Sequence, residues 1–329
     1  MKRRLLFEKG GWFVFNPAAV EQKTLPGLIS PQFNKVHIYY RQCDSANFSS
    51  IYHCVLSNSK LTCFDKPVLF KQHDYEYHGV EDPHITKIGS VYYMVYVAYD
   101  GKTARVALAE SKDLVNFKKH GLIGPEITYR EAARLADSPY YGKVWKLKEQ
   151  NKIIYDKDAM LFPKKINGKY ALLHRLDPAI QIVYFDEFSD LKKKSFWKEH
   201  IKNIHKYTLM KPKYSWEQTR IGAGCILETK KGWLLFYHGI KGRKHMFEYA
   251  AGLALLDRKD PMKVIARLEK PLFSPEYKWE KQGQIPNVVF PTRAILQRGI
   301  VRILYGCSDT RIGLAEITLE ELFKKLKVK

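Results

Sequence analysis

The sequence predicts an all-β fold, a five-bladed β-propeller carrying a C-terminal amphipathic helix. Three observations predict it. A unit of short apolar strands recurs five times at a spacing above about 50 residues, which is the period of propeller blades. Tyr, Val, Ile and Phe dominate the periodic segments while Gly, Asp, Asn and Ser punctuate them, the composition of half-buried strands and their turns. Similar polar turns recur ahead of the expected fourth strands, at Ser111–Leu114, Phe188–Leu191 and Asp257–Pro261.

The first unit reads Phe15–Val20, Lys35–Arg41 and Ile51–Leu56, and the second Glu81–Thr86, Val91–Tyr99 and Val106–Ala109. The third reads Lys157–Phe162, Lys169–His174 and Gln181–Phe185, with Asn167-Gly168 as a two-residue hairpin turn. The fourth runs Gly222–Leu227, Gly232–His238 and Ala251–Leu256, and the fifth Pro286–Phe290, Gly299–Tyr305 and Ile312–Ile317. Residues 126–156 form an expected long loop with a short helix, and 198–220 a Lys-rich connection; long insertions in a regular fold often make functional rims. Leu319, Leu322, Phe323 and Leu326 fall at helical spacing, so residues 316–329 are expected to be a helix packed on the blades. No Pro-, Gly- or Ser-rich linker divides the chain, which predicts a single domain over residues 1–329.

At 45% hydrophobic and 13% aromatic residues the chain is globular rather than disordered. Its 56 Lys and Arg against 34 Asp and Glu give a formal charge of +22. The basic residues are spread along the chain without a nucleic-acid-binding motif. That favours a solvated Lys-rich surface over a polyanion-binding one, with part of the excess available to line an anion pocket. Five cysteines (Cys43, Cys54, Cys63, Cys225, Cys307) lack CxxC spacing and are expected as reduced thiols in the cytoplasm. The opening Met1–Glu8 is too short for a signal peptide, and no run approaches a membrane span. Neither a membrane nor a nucleic-acid partner is expected, and a homo-oligomer is left open.

In an antiparallel blade, the start of the first strand and the end of the second share one edge of the sheet. Five such edges face one mouth of a propeller. The starts are Asn16-Pro17, Glu81-Asp82-Pro83, Lys157-Asp158, Arg220–Gly222 and Pro286-Asn287; the ends are Arg41, Tyr99-Asp100, His174-Arg175, His238 and Ser308-Asp309. Singly, each has a bland explanation: an Asx turn at Asp82, buried histidines at 174 and 238, a solvated pair at 157 and 158, structural arginines. Together they place acids, bases and imidazoles around one concavity. No metal motif, phosphate-binding Gly-rich loop or GxSxG elbow is present, and no cofactor is expected. A few carboxylates among many cations suit glycosidic cleavage with an anionic co-substrate such as phosphate.

Gly79–Thr86, Lys157–Pro163, Ile221–Gly224, Gly232–Gly239, Tyr249–Pro261 and Pro286–Pro291 resemble glycoside hydrolase family 130, in order over most of the chain. The resemblance implies a five-bladed propeller acting on β-mannosides, an inverting phosphorylase that releases α-mannose 1-phosphate. It implies Asp82 as the single general acid, relaying its proton through the 3-hydroxyl of the mannosyl unit. Arg105, Lys157, His174 and Arg175 would cradle inorganic phosphate, the co-substrate. Asn16, Arg41, Glu81, Asp158, Arg220, His238 and Asp309 would bind the β-mannoside. The chain departs from the family pattern at His84, where Arg is usual, at Asp158, where Asn is usual, and at Gly224-Cys225-Ile226. Asp158 brings an extra acid, so a β-mannoside hydrolase using Asp158 or Asp100 to assist water is the alternative. A non-catalytic carbohydrate- or polyanion-binding propeller is the third possibility.

Overall fold

A computed structural model describes residues 1–22, 35–58, 60–243 and 246–328. Strand β1 (Lys2–Phe7) precedes β2 (Phe13–Gln22), β3 (Lys35–Cys43), β4 (Ser49–Ser57) and β5 (Lys60–Cys63), and these last four pair in sequence order. A second set follows, β6 (Gly79–Ile88), β7 (Val91–Tyr99), β8 (Ala104–Ser111) and β9 (Lys118–Leu122), joined to the first by one parallel bridge, Ser49 to Gly79. Gly79 has φ +142, and a Cβ there would lie 2.5 Å from the Ser49 carbonyl oxygen, so only glycine allows that seam. Three further four-stranded sheets are β10 (Asp156–Leu161) to β11 (Tyr170–Leu176), β12 (Ile180–Phe185) and β13 (Thr208–Met210); β14 (Arg220–Thr229) to β15 (Gly232–Arg243), β16 (Met246–Leu256) and β17 (Val264–Arg267); and β18 (Val289–Gln297) to β19 (Ile300–Cys307) and β20 (Arg311–Thr318), completed by β1. The chain is mostly β. The sheets do not hydrogen-bond into one closed sheet, but their first strands touch in ring order: β2 with β6, β6 with β10, β10 with β14, β14 with β18, and β18 with β2.

A buried glutamate ties three of these sheets together in the same way. Glu76, Glu217 and Glu280 are each fully buried in a short turn ahead of a first strand. Each accepts a hydrogen bond from a second-strand tyrosine: Tyr96 at 2.7 Å, Tyr237 at 2.8 Å and Tyr305 at 2.7 Å. Each also meets a cation from the outermost strand: Lys119 at 2.6 Å, Arg267 at 2.7 Å and Arg3 at 2.9 Å. The backbone N–H four residues earlier donates to each carboxylate at 2.8 Å, so the charge is satisfied on every side.

Several expectations need correction. The first strand of the fifth unit is Val289–Gln297, further on than the expected Pro286–Phe290, because Pro286 and Asn287 belong to the approach rather than to the ladder. Residues 126–156 hold two helices, Tyr129–Leu135 and Pro139–Lys146. The Lys-rich connection also folds: helix Lys194–Lys202 runs before the outer strand β13, so the polar turn at 188–191 leads into helix rather than strand. Glu316–Thr318 extends β20, and the final helix is Leu319–Lys325, with Lys329 outside the described residues. Asn167 and Gly168 have φ of 49° and 82°, the left-handed pair a tight hairpin requires.

Not all the thiols are reduced. Cys54 and Cys63 face each other across β4 and β5 as a disulfide, with Cα atoms 4.0 Å apart. The tight connection between the two strands makes them register partners, a juxtaposition that CxxC spacing does not report. Cys43, Cys225 and Cys307 are free and buried.

Candidate active site

Each first strand carries a bulge at a matching place: between Phe15 and Ala18, Glu81 and His84, Lys157 and Met160, Ala223 and Cys225, and Pro291 and Arg293. A bulge sets two residues against one, bends the strand and re-aims a side chain. In the first three the bulge holds Asn16, Asp82 and Asp158, at φ 48°, 47° and 54°. Asn and Asp enter the left-handed region at the lowest cost among residues with a Cβ. The Asx-Pro dipeptides thus mark bulges rather than simple turns.

Those bulges bring the site together. Asn16 Nδ2 donates to Asp82 Oδ1 at 2.7 Å. Arg41 pairs with Glu81 at 2.7 Å and stands 3.7 Å from Asp82. Lys157 Nζ lies 3.1 Å from Glu81 and 3.8 Å from Asp82. Lys157 is the register partner of Arg175, which pairs with Asp158 at 2.7 Å and Asp177 at 2.9 Å. His238 Nε2 lies 3.6 Å from Asp158 and 3.4 Å from the Arg175 guanidinium. A Cβ on Gly222 would fall 1.9 Å from Asp158 Oδ2 and 2.3 Å from His238 Cε1, so a glycine is what lets these two groups approach. Arg220 reaches Asp177 at 3.9 Å and the Tyr249 hydroxyl at 3.5 Å.

The electrostatics differ from carboxylate to carboxylate. Burial pushes the Asp82 carboxyl up, but Lys157, Arg41 and the Asn16 hydrogen bond outweigh it and hold the group below its ordinary value. Asp158 is pushed up to about 6 by burial, against Arg175 and Lys157, with Asp82 adding to the rise. Asp309 is pushed up to about 7 by burial, with Asp82 and Glu81 adding to it against Arg41 and Lys157. Burial works against the charge on Lys157, yet Glu81 and Asp82 win and raise its pKa. His238 is driven well below the usual imidazole range by burial and by Arg175 and Arg220, and His84 is pushed down to about 4, mainly by burial.

Of the four residues expected around phosphate, Lys157 and Arg175 meet at the site, His174 does not, and Arg105 is held by other partners. His174 points away, because successive strand side chains alternate between faces and Arg175 takes the inward one. Its ring is fully buried, bonded to Asp156 at 3.0 Å and His200 at 3.2 Å, with Trp197 edge-on at 5.4 Å. It lies opposite the bulge, where Tyr96 stands in the second sheet, and it packs the third sheet as that tyrosine packs its own. Arg105 pairs with Asp100 at 2.8 Å and approaches Glu126 at 3.5 Å, and its ion pairs do not run to the Asp82 cluster. Asn16, Arg41, Glu81, Asp82 and Lys157 form one cluster and Asp158, Arg175, Arg220 and His238 a second, joined where Lys157 and Arg175 are register partners, and Asp309 lies in the field of Arg41, Asp82, Lys157 and Glu81. Asp177 was missed; its signal was the period-two spacing from Arg175, which puts both on one face of the chain. Phe290, 4.3 Å from the His238 ring, carried no sequence signal of its own. Among the described residues no cluster of His, Cys, Asp and Glu is set to hold a metal ion, and no helix is long and apolar enough to cross a membrane.

The family 130 glycoside hydrolase model, described as beta-1,4-mannooligosaccharide phosphorylase, matches residues 7–328. A beta-1,2-mannobiose phosphorylase of Thermoanaerobacter sp. (strain X514) is 36% identical over 308 residues, covering 88% of each chain. A 1,2-beta-oligomannan phosphorylase of the same organism is 36% identical over 263 residues, 78% of this chain and 74% of its own. In fold, the chain is similar to the beta-1,2-mannobiose phosphorylase of Listeria innocua, with a TM-score of 0.68 at 21% identity, over 98% of this chain and 94% of that one. The chain belongs to glycoside hydrolase family 130.

Proposed function

We propose that the protein is an inverting phosphorylase of β-mannosides, with its five sheets set as the blades of a propeller. The ring order of the first-strand contacts supports the propeller. One observation carries the chemistry: Asp82 stands among Asn16, Arg41 and Lys157, with Arg175 beside Lys157, while Asp158 and Asp100 are each paired to an arginine at 2.7 and 2.8 Å. Asp82 thus stands as the acid beside a cation pair, Lys157 and Arg175, that an incoming anion would share with Glu81, Asp158 and Asp177. An inverting hydrolase needs a second carboxylate free to activate water.

In this mechanism a phosphate oxygen, held by Lys157 and Arg175, attacks C1 from the face opposite the leaving group. The C1–O bond breaks, and the departing oxygen takes a proton supplied by Asp82 through the 3-hydroxyl of the mannosyl unit. The product is α-mannose 1-phosphate and an acceptor shortened by one unit. Asp82 is ionised when its cations are unopposed, and an acid must carry a proton. Phosphate supplies the missing condition: negative charge beside Lys157 and Arg175 offsets the field that keeps Asp82 low, so the co-substrate raises the pKa of the group that must donate. Asn16, Arg41 and Asp309 bind sugar hydroxyls, and no cofactor enters the reaction. The cytoplasm suits three free buried thiols, with the Cys54–Cys63 bridge as the exception.

Asp158 favours a second reading, since a buried carboxyl near 6 is poised to act as a base for water in a hydrolase. Incubation with β-1,2- and β-1,4-linked mannosides, with and without inorganic phosphate, separates the two. Mannose 1-phosphate formed only with phosphate is expected; free mannose released without phosphate refutes the phosphorylase. Asp82→Asn is expected to abolish turnover in a protein that still folds, and retained activity would remove Asp82 from the role of acid.

A further inference from the structure

The seam between the first two sheets carries an aromatic ridge that the chemistry at Asp82 does not use. Phe48 and Tyr77 are 38% and 60% exposed and lie side by side. Phe48 stacks on His78 with ring centroids 4.7 Å apart and meets Tyr77 edge-on at 6.3 Å. His78 in turn meets Tyr99 at 5.4 Å. Tyr99 closes the ridge on its inner side as the register partner of Gly79, two residues before Glu81 in β6. The ridge thus reaches from the protein surface to the start of β6, the strand that carries Glu81 and Asp82.

The rings are held in place before any ligand arrives. Asp44 Oδ1 accepts from the backbone N–H groups of Ala46 and Phe48 at 2.9 and 3.0 Å, fixing the loop that presents Phe48. Ser49 N donates to the His78 carbonyl at 3.3 Å, and His78 N donates to the Tyr99 carbonyl at 2.9 Å. Preorganised aromatic faces at the mouth of a polar site are what a pyranose needs: its C–H face lies on the ring and its hydroxyls point to water and to nearby donors. Lys71 supplies such a donor, its ammonium 4.9 Å from the Tyr77 ring and 5.5 Å from the Phe48 ring. His78 directly precedes β6, and Asp82 follows four residues on in its bulge, at most roughly 13 Å away at about 3.3 Å per residue. A sugar on the ridge sits at the approach to β6, outside the Asp82 cluster.

We propose that the Phe48–Tyr77–His78 ridge is a distal subsite, an inference that rests on the mannoside reading above, and that it binds a mannosyl unit of an oligosaccharide longer than the disaccharide. The protein is then built to prefer chains over the disaccharide, with the ridge setting that preference.

The test compares wild type with the double variant Phe48→Ala/Tyr77→Ala, using β-linked mannobiose and mannotetraose. Two measurements are made: phosphorolysis, and calorimetric binding of each sugar in an Asp82→Asn background that does not turn over. The ratio of kcat/KM for tetraose over biose is expected to fall about tenfold in the double variant, through KM. Tetraose binding in the Asp82→Asn background is expected to weaken by a similar factor. An unchanged ratio, or equal losses on both sugars, overturns the subsite. If wild type makes no mannose 1-phosphate while tetraose binding still depends on Phe48 and Tyr77, the phosphorylase is refuted and the ridge stands. If tetraose binding is indifferent to the two rings, the ridge is refuted whatever the turnover.

Discussion

Replacing Glu217 with Gln removes a charge from the centre of a fully buried network while keeping its shape. Arg267 Nη2 donates to both carboxylate oxygens at 2.7 Å, the Tyr237 hydroxyl donates at 2.8 Å, and the Lys213 and Tyr214 backbone N–H groups donate at 2.8 and 3.1 Å. The amide has one acceptor oxygen where the carboxylate has two, and it leaves the Arg267 charge, only 11% exposed, without its counter-ion. Breaking a buried pair from one side costs about 3–5 kcal/mol. Unfolding entropy near 60 °C is about 2.1 cal/mol/K per residue, or about 0.7 kcal/mol/K for 329 residues. The expected fall in Tm is therefore about 4–7 °C, read by circular dichroism during heating. Glu76→Gln and Glu280→Gln should fall by similar amounts, since their networks repeat the same contacts. The control is Lys169→Ala, which removes an exposed pair with Asp186 and should leave Tm nearly unchanged. A Glu217→Gln protein that melts with the control would refute the idea that these glutamates hold the sheets together.

Asp309→Asn should raise stability at pH 8 and leave it nearly unchanged at pH 4. A carboxyl raised to about 7 binds more protons folded than unfolded, so its contribution is lost as pH climbs from about 4 to about 7; equal Tm shifts at both pH values would contradict it. Inorganic phosphate at a hundredfold excess over its Kd should stabilise wild type by about 2.7 kcal/mol, or about 4 °C. Arg175→Leu should lose that shift, and a variant that keeps it would take Arg175 out of the anion site. Alkylation of the denatured, unreduced protein should label three thiols, rising to five after reduction; five labels without reduction would dismiss the bridge. Breaking that bridge by Cys63→Ser should cost about 2–3 kcal/mol, the loop-closure value for so short a loop.

The strands were legible because their alternation and turn chemistry are local. Val91–Tyr99 and the Asn167-Gly168 turn were read correctly from neighbouring residues alone. The convergence of Asp82, Lys157, Arg41 and Arg175 was legible too, because a repeated hairpin puts equivalent residues at equivalent edges. His174 was misplaced for a reason of parity: adjacent strand residues face opposite ways, and the pattern does not say which of His174 and Arg175 turns inward. The ion pairs of Arg105 were not legible, because its partners, Asp100 and Glu126, are set by the local path of the chain. The disulfide and β1 were missed because both depend on pairing, Cys54 with Cys63 and Lys2 with Glu316, and pairing is not a property of either segment. The glutamate networks escaped for the same reason, although an aromatic residue precedes each glutamate, Tyr75, Trp216 and Trp279.

Strand β1 has a consequence for how the molecule comes into being. It pairs Lys2 with Glu316 and Leu5 with Gly313, so the sheet of β18, β19 and β20 takes its outer strand from a segment far upstream in the chain. Contacts so far apart in sequence form late and slowly. During synthesis, Arg3 must wait for Glu280, and Arg41 for Asp309. A ribosome that stops before the final strands therefore releases a chain with most of its sheets but no finished binding mouth. Partial products would be catalytically silent, and activity would appear as a single late event when β1 meets β20.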